Sequence, residues 1–142
     1  MRHFTAALLV AALAACSSNP SSDVTATSQN TQNLSQQELG KAFVMKIGES
    51  FALNDLRLTF QRVAADSRCP IDAVCVWAGD AEIALKIDQG NKSAVAALHT
   101  TLEPKKTEWN GYTISLVSVS PSRQASKGID PADYRAEIVV TR

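Results

Sequence analysis

Asp66-Ser67-Arg68-Cys69-Pro70-Ile71-Asp72-Ala73-Val74-Cys75-Val76-Trp77-Ala78-Gly79-Asp80 is the stretch whose reading decides the fold of this 142-residue chain. It carries two of the three cysteines and one of the two tryptophans, and it lies between two segments of alternating hydrophobicity. Pro70 restrains Cys69 to an extended backbone, and Gly79 permits a bend into the segment that follows. A bridge between Cys69 and Cys75 closes a short loop and removes about 2 kcal/mol of chain entropy from the unfolded state. For a small domain whose whole stability is about 5–10 kcal/mol, that share is large. The stretch therefore reads as a disulfide-stapled loop connecting two strands.

The flanks support this. Before the loop, Phe43, Met45 and Ile47 alternate with Val44 and Lys46, Gly48-Glu49-Ser50 turns the chain, and Asn54-Asp55 turns it again into Leu56, Leu58 and Phe60. After it, Ala81, Ile83, Leu85 and Ile87 alternate with Glu82, Ala84, Lys86 and Asp88, the cleanest strand pattern in the chain. Asp88-Gln89-Gly90-Asn91 turns into a weaker, alanine-rich strand from Ser93 to Thr100, and Pro104 ends it. Asn110-Gly111 between Trp109 and Tyr112 is the favoured type I′ hairpin pair, so Lys105–Trp109 should return through Tyr112–Ser120. Within that return the apolar parity changes from Tyr112, Ile114 and Leu116 to Val117 and Val119, which predicts a β-bulge near Leu116-Val117. Pro131-Ala132-Asp133 suits a single helical turn before a last strand carrying Tyr134, Ala136, Ile138 and Val140. No amphipathic helix of three turns occurs in the domain. Seven to eight short strands predict an all-β fold, an antiparallel β-sandwich or small barrel over residues 41–142.

The N-terminal residues place this domain. Arg2 and His3 precede an apolar run of about a dozen residues, Phe4 to Ala15, too short to span a bilayer and ending in small residues, as in a secretory signal. Leu13-Ala14-Ala15-Cys16 resembles the lipobox of bacterial lipoproteins. That resemblance implies removal of residues 1–15, lipid attachment at Cys16, and, with Ser17 rather than Asp after the cysteine, an outer-membrane address facing the periplasm. Several acyl chains, each buried CH₂ contributing about 0.8 kcal/mol, would make the anchor permanent. From residue 16 to 40 the composition is Ser, Thr, Asn, Gln and Ala, which cannot bury enough apolar surface to offset ordering. It reads as a flexible tether of roughly 25–30 Å, with one possible helical turn from Asn33 to Glu38. An exported location is oxidising, and with Cys16 lipidated the remaining Cys69 and Cys75 most simply pair with each other.

The chain has 14 basic and 14 acidic side chains; loss of Arg2 with the signal leaves a formal charge of −1. Cations are scattered apart from Lys105-Lys106, so nucleic acid is not an expected partner. Redox chemistry would call for Cys-x-x-Cys at a helix start, which is absent. A zinc or copper site would have only His99 and the carboxylates Asp66, Asp72 and Asp80 once the thiols are oxidised, and no metal or other cofactor is expected. His99 on an alanine-rich strand, with no Gly-x-Ser-x-Gly elbow, gives little basis for hydrolysis and reads as a partly exposed strand residue. Asp66 with Asp80, or Asp72 with Asp80, would suit glycosidase chemistry only at about 5–9 Å separation, and loop carboxylates are more often turn-formers or solvated.

Two readings of the loop itself remain. In the first, Trp77 plugs the end of the sandwich and the loop is architecture. In the second, Arg68, Trp77 and Asp80 form a binding surface for an envelope protein or glycan, an aromatic face flanked by both charge signs. Trp109 and Tyr112 read as a cross-strand aromatic pair stabilising their hairpin. Asp66-Ser67-Arg68-Cys69-Pro70 and Cys75-Val76-Trp77-Ala78-Gly79, followed by a strand and later by Asn110-Gly111-Tyr112, are similar to a bacterial secreted and lipoprotein family with a Ser-Arg-Cys-Pro and Cys-x-Trp-Ala-Gly core. The resemblance implies one folded domain over residues 41–142 and carries no activity. The expectation is a membrane-anchored, non-enzymatic envelope lipoprotein with a binding or structural role; the alternative is a small envelope enzyme or metal handler using the carboxylates around residues 66–80.

Overall fold

The computed structural model describes residues 35, 36 and 38–142; the expected signal, Cys16 and most of the expected tether lie outside them. Among the described residues the chain forms β1 (Ser35–Gln36), β2 (Ala42–Lys46), β3 (Ser50–Leu53), β4 (Leu56–Asp66), β5 (Ala81–Gln89), β6 (Lys92–His99), β7 (Lys106–Trp109), β8 (Tyr112–Ser120) and β9 (Arg135–Thr141). One sheet has the order β1-β3-β4-β5-β6 and the other β2-β9-β8-β7. All neighbours are antiparallel except β1, which runs parallel to β3. The fold is thus a β-sandwich, as the alternation predicts. Ser35–Gln36 is extended rather than helical, because the open edge of β3 offers its backbone groups a ladder that a lone helical turn cannot match.

The period-2 pattern becomes burial directly. β3 buries Phe51 and Leu53, β4 Leu56, Leu58 and Phe60, β5 Ile83, Leu85 and Ile87, and the facing sheet answers with Phe43, Met45, Tyr112, Ile114, Leu116, Ile138 and Val140. Phe43 and Phe51 meet edge to face across the layers, with centroids 5.2 Å apart. The expected parity change in β8 is a register shift between Leu116 and Ser118 that returns Val119 to the core. β4 shifts twice, between Phe60 and Arg62 and between Val63 and Ala65, and the second half of this long strand is largely exposed. Pro131–Asp133 is a 3₁₀ turn capped by Asp130, whose carboxylate accepts from the Ala132 amide.

The connections gather at two poles. At one, three hairpin turns are tied together: Asp55 accepts from Gln89 Nε2 at 2.6 Å and from the Tyr112 hydroxyl at 2.7 Å, and Asn110 Nδ2 donates to Gln89 Oε1 at 2.7 Å. Asn110 and Gly111 both have positive φ, as the type I′ turn requires. At the other pole lie the 66–80 loop, the end of β6 and the β8–β9 connection.

Candidate functional site

The 66–80 loop starts as a continuation of the β4–β5 ladder. The Ser67 amide donates to the Asp80 carbonyl at 2.7 Å and the Cys69 amide to the Ala78 carbonyl at 2.8 Å. The two strands approach here so closely that only glycine fits at position 79: its φ is +70°, and a Cβ would lie 2.0 Å from the Ser67 carbonyl oxygen. Beyond this neck Cys69 and Cys75 are disulfide-bonded, their Cα atoms 6.0 Å apart, around a turn in which the Ala73 amide reaches the Pro70 carbonyl. One side of the loop is sewn to the β8–β9 connection. The Ile71 amide donates to Arg123 O, the Arg123 guanidinium to Arg68 O at 3.0 Å, and the Ala125 amide to the Asp72 carboxylate at 2.7 Å.

Arg68 is the internal fastener. Its guanidinium forks onto Asp66, with Nε to Oδ1 at 2.9 Å and Nη2 to Oδ2 at 2.7 Å, and also donates to the carbonyls of Val119 and Pro121. The Tyr134 hydroxyl donates to the same Asp66 carboxylate at 2.9 Å. Burial pushes the Asp66 carboxyl up, but the bonds from Arg68 and Tyr134 outweigh it and hold the group below the usual carboxylate range. The guanidinium is raised in turn by its bond to Asp66, and burial together with that carboxylate raises the Tyr134 phenol. A forked, largely buried pair of this kind joins the two sheets through the loop's base.

Asp80, only 6% exposed, is likewise consumed internally. Oδ2 meets His99 Nδ1 at 2.7 Å, while Oδ1 accepts from the Thr100 hydroxyl at 3.1 Å and from the amides of Thr101 at 2.8 Å and Leu102 at 3.3 Å. Burial works against ionisation, yet His99, the two amides and Thr100 together pull the carboxyl down to about 2. An ionised carboxylate can only accept, so Nδ1 of His99 carries the proton in this contact. The expected solvated turn-former is therefore a buried acceptor, and His99, the half-buried last residue of β6 as expected, is its orienting partner. Nothing in the spacing of residues 80 and 99 announces the pair; it follows from the β5–β6 register, which sets Glu82 opposite His99.

Trp77 goes the other way. It does not plug the sandwich end, because Arg68 and the Asp80-bound segment already fill that end; the indole is 53% exposed. Ile71 is exposed as well, and Val74 and Val76 are as accessible as in an open chain. Of the three residues expected to form a binding surface, two thus serve the loop's base and one remains on its face. Sequence reasoning overlooked the aliphatic trio Ile71, Val74 and Val76; their placement outside any alternating strand was the available signal. A shallow cleft among Pro121, Ser122, Gln124, Lys127, Gly128, Ile129 and Asp133 lies in the neighbouring connection. The carboxylates do not combine with His99 into a metal centre: no group of three or more His, Cys, Asp or Glu gathers among the described residues.

In the β7–β8 hairpin, Trp109 and Tyr112 are register partners as expected. Tyr112 is buried with its hydroxyl on Asp55, and Arg142 stacks over its ring at 5.0 Å. Trp109 packs on the core, its buried Nε1 without a partner. Comparison with protein-family models, with curated proteins and with solved structures finds no match to this chain.

Proposed function

We propose that this chain is a cell-envelope lipoprotein, anchored in the outer membrane through Cys16 and facing the periplasm, whose β-sandwich is a non-enzymatic binding module with the 66–80 loop as its contact surface. The observation that carries this reading is the contrast within one loop. Its polar and charged groups are turned inward to hold it rigid, while Ile71, Val74, Val76 and Trp77 stand in solvent. Exposing four large apolar side chains on a pre-ordered loop is an aggregation liability unless something covers them, and pre-ordering lowers the entropy cost of contact.

The alternative, an envelope enzyme or metal handler, is favoured only by the Asp80–His99 pair, since a carboxylate on Nδ1 is how many catalytic and ligating imidazoles are oriented. Here the hydroxyl of the adjacent Thr100 is bonded to the same carboxylate, which favours a structural role.

A photoreactive benzoylphenylalanine placed at Val76 in the full chain, in intact bacterial cells, tests the proposal. Crosslinking from residue 76 in the membrane fraction and none from Val95, an exposed valine on β6, is the expected result. Equal labelling from both positions would mean the loop is ordinary surface.

A further inference from the structure

We infer that the partner of this loop is the lipid surface itself: Trp77, Val76, Val74 and Ile71 enter the boundary between headgroups and acyl chains of the membrane that holds the anchor. The inference deepens the proposed function and rests on it for the anchor. Of the nine large apolar side chains left exposed among the described residues, these four fall within one seven-residue run, and a fifth, Leu102, ends the Asp80-bound segment at the same pole. The only charged side chain between Cys69 and Trp77 is Asp72, and its carboxylate is turned onto the Ala125 amide. The exposed face of the loop is aliphatic with one tryptophan. A protein partner would have to offer a matching pocket, whereas the acyl boundary deforms around such a face and favours the amphipathic indole at its edge.

The course of the chain agrees. β4 runs toward the loop, β3 antiparallel to it runs away, and β1 is parallel to β3. The N-terminal end of β1, at Ser35, therefore faces the pole that carries the loop. From Cys16 to Ser35 the backbone reaches at most about 65 Å, and the level of Phe51, where β1 begins, lies roughly 25 Å from the end of β4. A domain held by that length of chain, with Ser35 toward the loop's pole, can lay the loop on the same bilayer without reversing.

Single-tryptophan versions of the full chain test this in vesicles of phosphatidylethanolamine and phosphatidylglycerol with brominated acyl chains. Trp109→Phe leaves Trp77 as the reporter and removes no hydrogen bond, since Trp109 Nε1 makes none; Trp77→Phe leaves Trp109 as the control. The expected result is a blue shift and bromine quenching of Trp77 on vesicle addition, with Trp109 unchanged, and loss of both signals when Val76→Asp is added. Circular dichroism of the Val76→Asp chain checks that its sandwich is intact.

Mass measurement of the N-terminal peptide reports the anchor separately. A lipidated chain whose Trp77 stays red-emitting and unquenched overturns the lipid contact and leaves the anchor standing. A quenched Trp77 in a chain without lipid keeps the contact and removes the anchor. A blue shift without quenching means that a protein, including a second copy, covers the loop, and also overturns the inference.

Discussion

Asp80 and Gly79 are adjacent, buried and invisible to hydrophobic patterning, yet they fix the loop's neck by different physics. At Gly79 the constraint is steric and conformational together: positive φ and a carbonyl where a methyl would stand. Gly79→Ala should destabilise the domain by more than about 2 kcal/mol, lowering the melting temperature of this roughly hundred-residue fold by about 8 °C or more in calorimetry. At Asp80 the constraint is electrostatic. A carboxyl held near 2 when folded and near 3.9 when unfolded stabilises the fold above that unfolded value, and the contribution is lost as pH falls through about 2. Asp80→Asn should therefore cost about 2 kcal/mol at neutral pH, and denaturation curves of the two proteins should converge between about pH 4 and pH 2. A difference that persists unchanged below pH 2 would mean that packing, not ionisation, is what Asp80 supplies.

Elements were legible where one face of a strand is buried and the other wet. Leu56, Leu58 and Phe60, or Ile83, Leu85 and Ile87, state the inward face outright, and Leu116, Val117 and Val119 state the bulge by a change of parity. β1 was not legible because two residues, Ser35 and Gln36, have no pattern to read; their conformation is imposed by a neighbouring edge. Cys69 and Cys75 were legible as a staple from their number and spacing. The direction of Trp77 was not, since an aromatic beside a disulfide is equally at home as a plug, and what excludes it here is Arg68 reaching Val119 and Pro121 from 51 and 53 positions away.

The staple itself should contribute about 2 kcal/mol through the small loop it closes, so Cys69→Ser with Cys75→Ser should lower the urea midpoint by that equivalent while leaving far-ultraviolet circular dichroism native. At the opposite pole Tyr112→Phe deletes one hydroxyl bond to Asp55 and should cost about 1 kcal/mol, read in the same titration.

Over the whole molecule the two poles are closed by the same device, an acidic side chain collecting donors from several connections, but only one of them carries apolar surface outward. Asp55 gathers the three hairpin turns with polar residues around it, whereas Asp66 and Asp80 anchor a loop whose outer face is aliphatic and aromatic. If that face exists for contact and not for folding, stability and contact must separate on substitution. Val76, fully exposed, should accept Asp with a change in unfolding free energy within about 0.5 kcal/mol, while Gly79→Ala, three residues away, should lose stability outright. Chemical denaturation of both variants, set beside the crosslinking and quenching yields from the same preparations, reads the two quantities independently. A Val76→Asp domain that unfolds as readily as the Gly79→Ala one would show that the valine is supporting the sandwich, and the outward face would then belong to the fold after all.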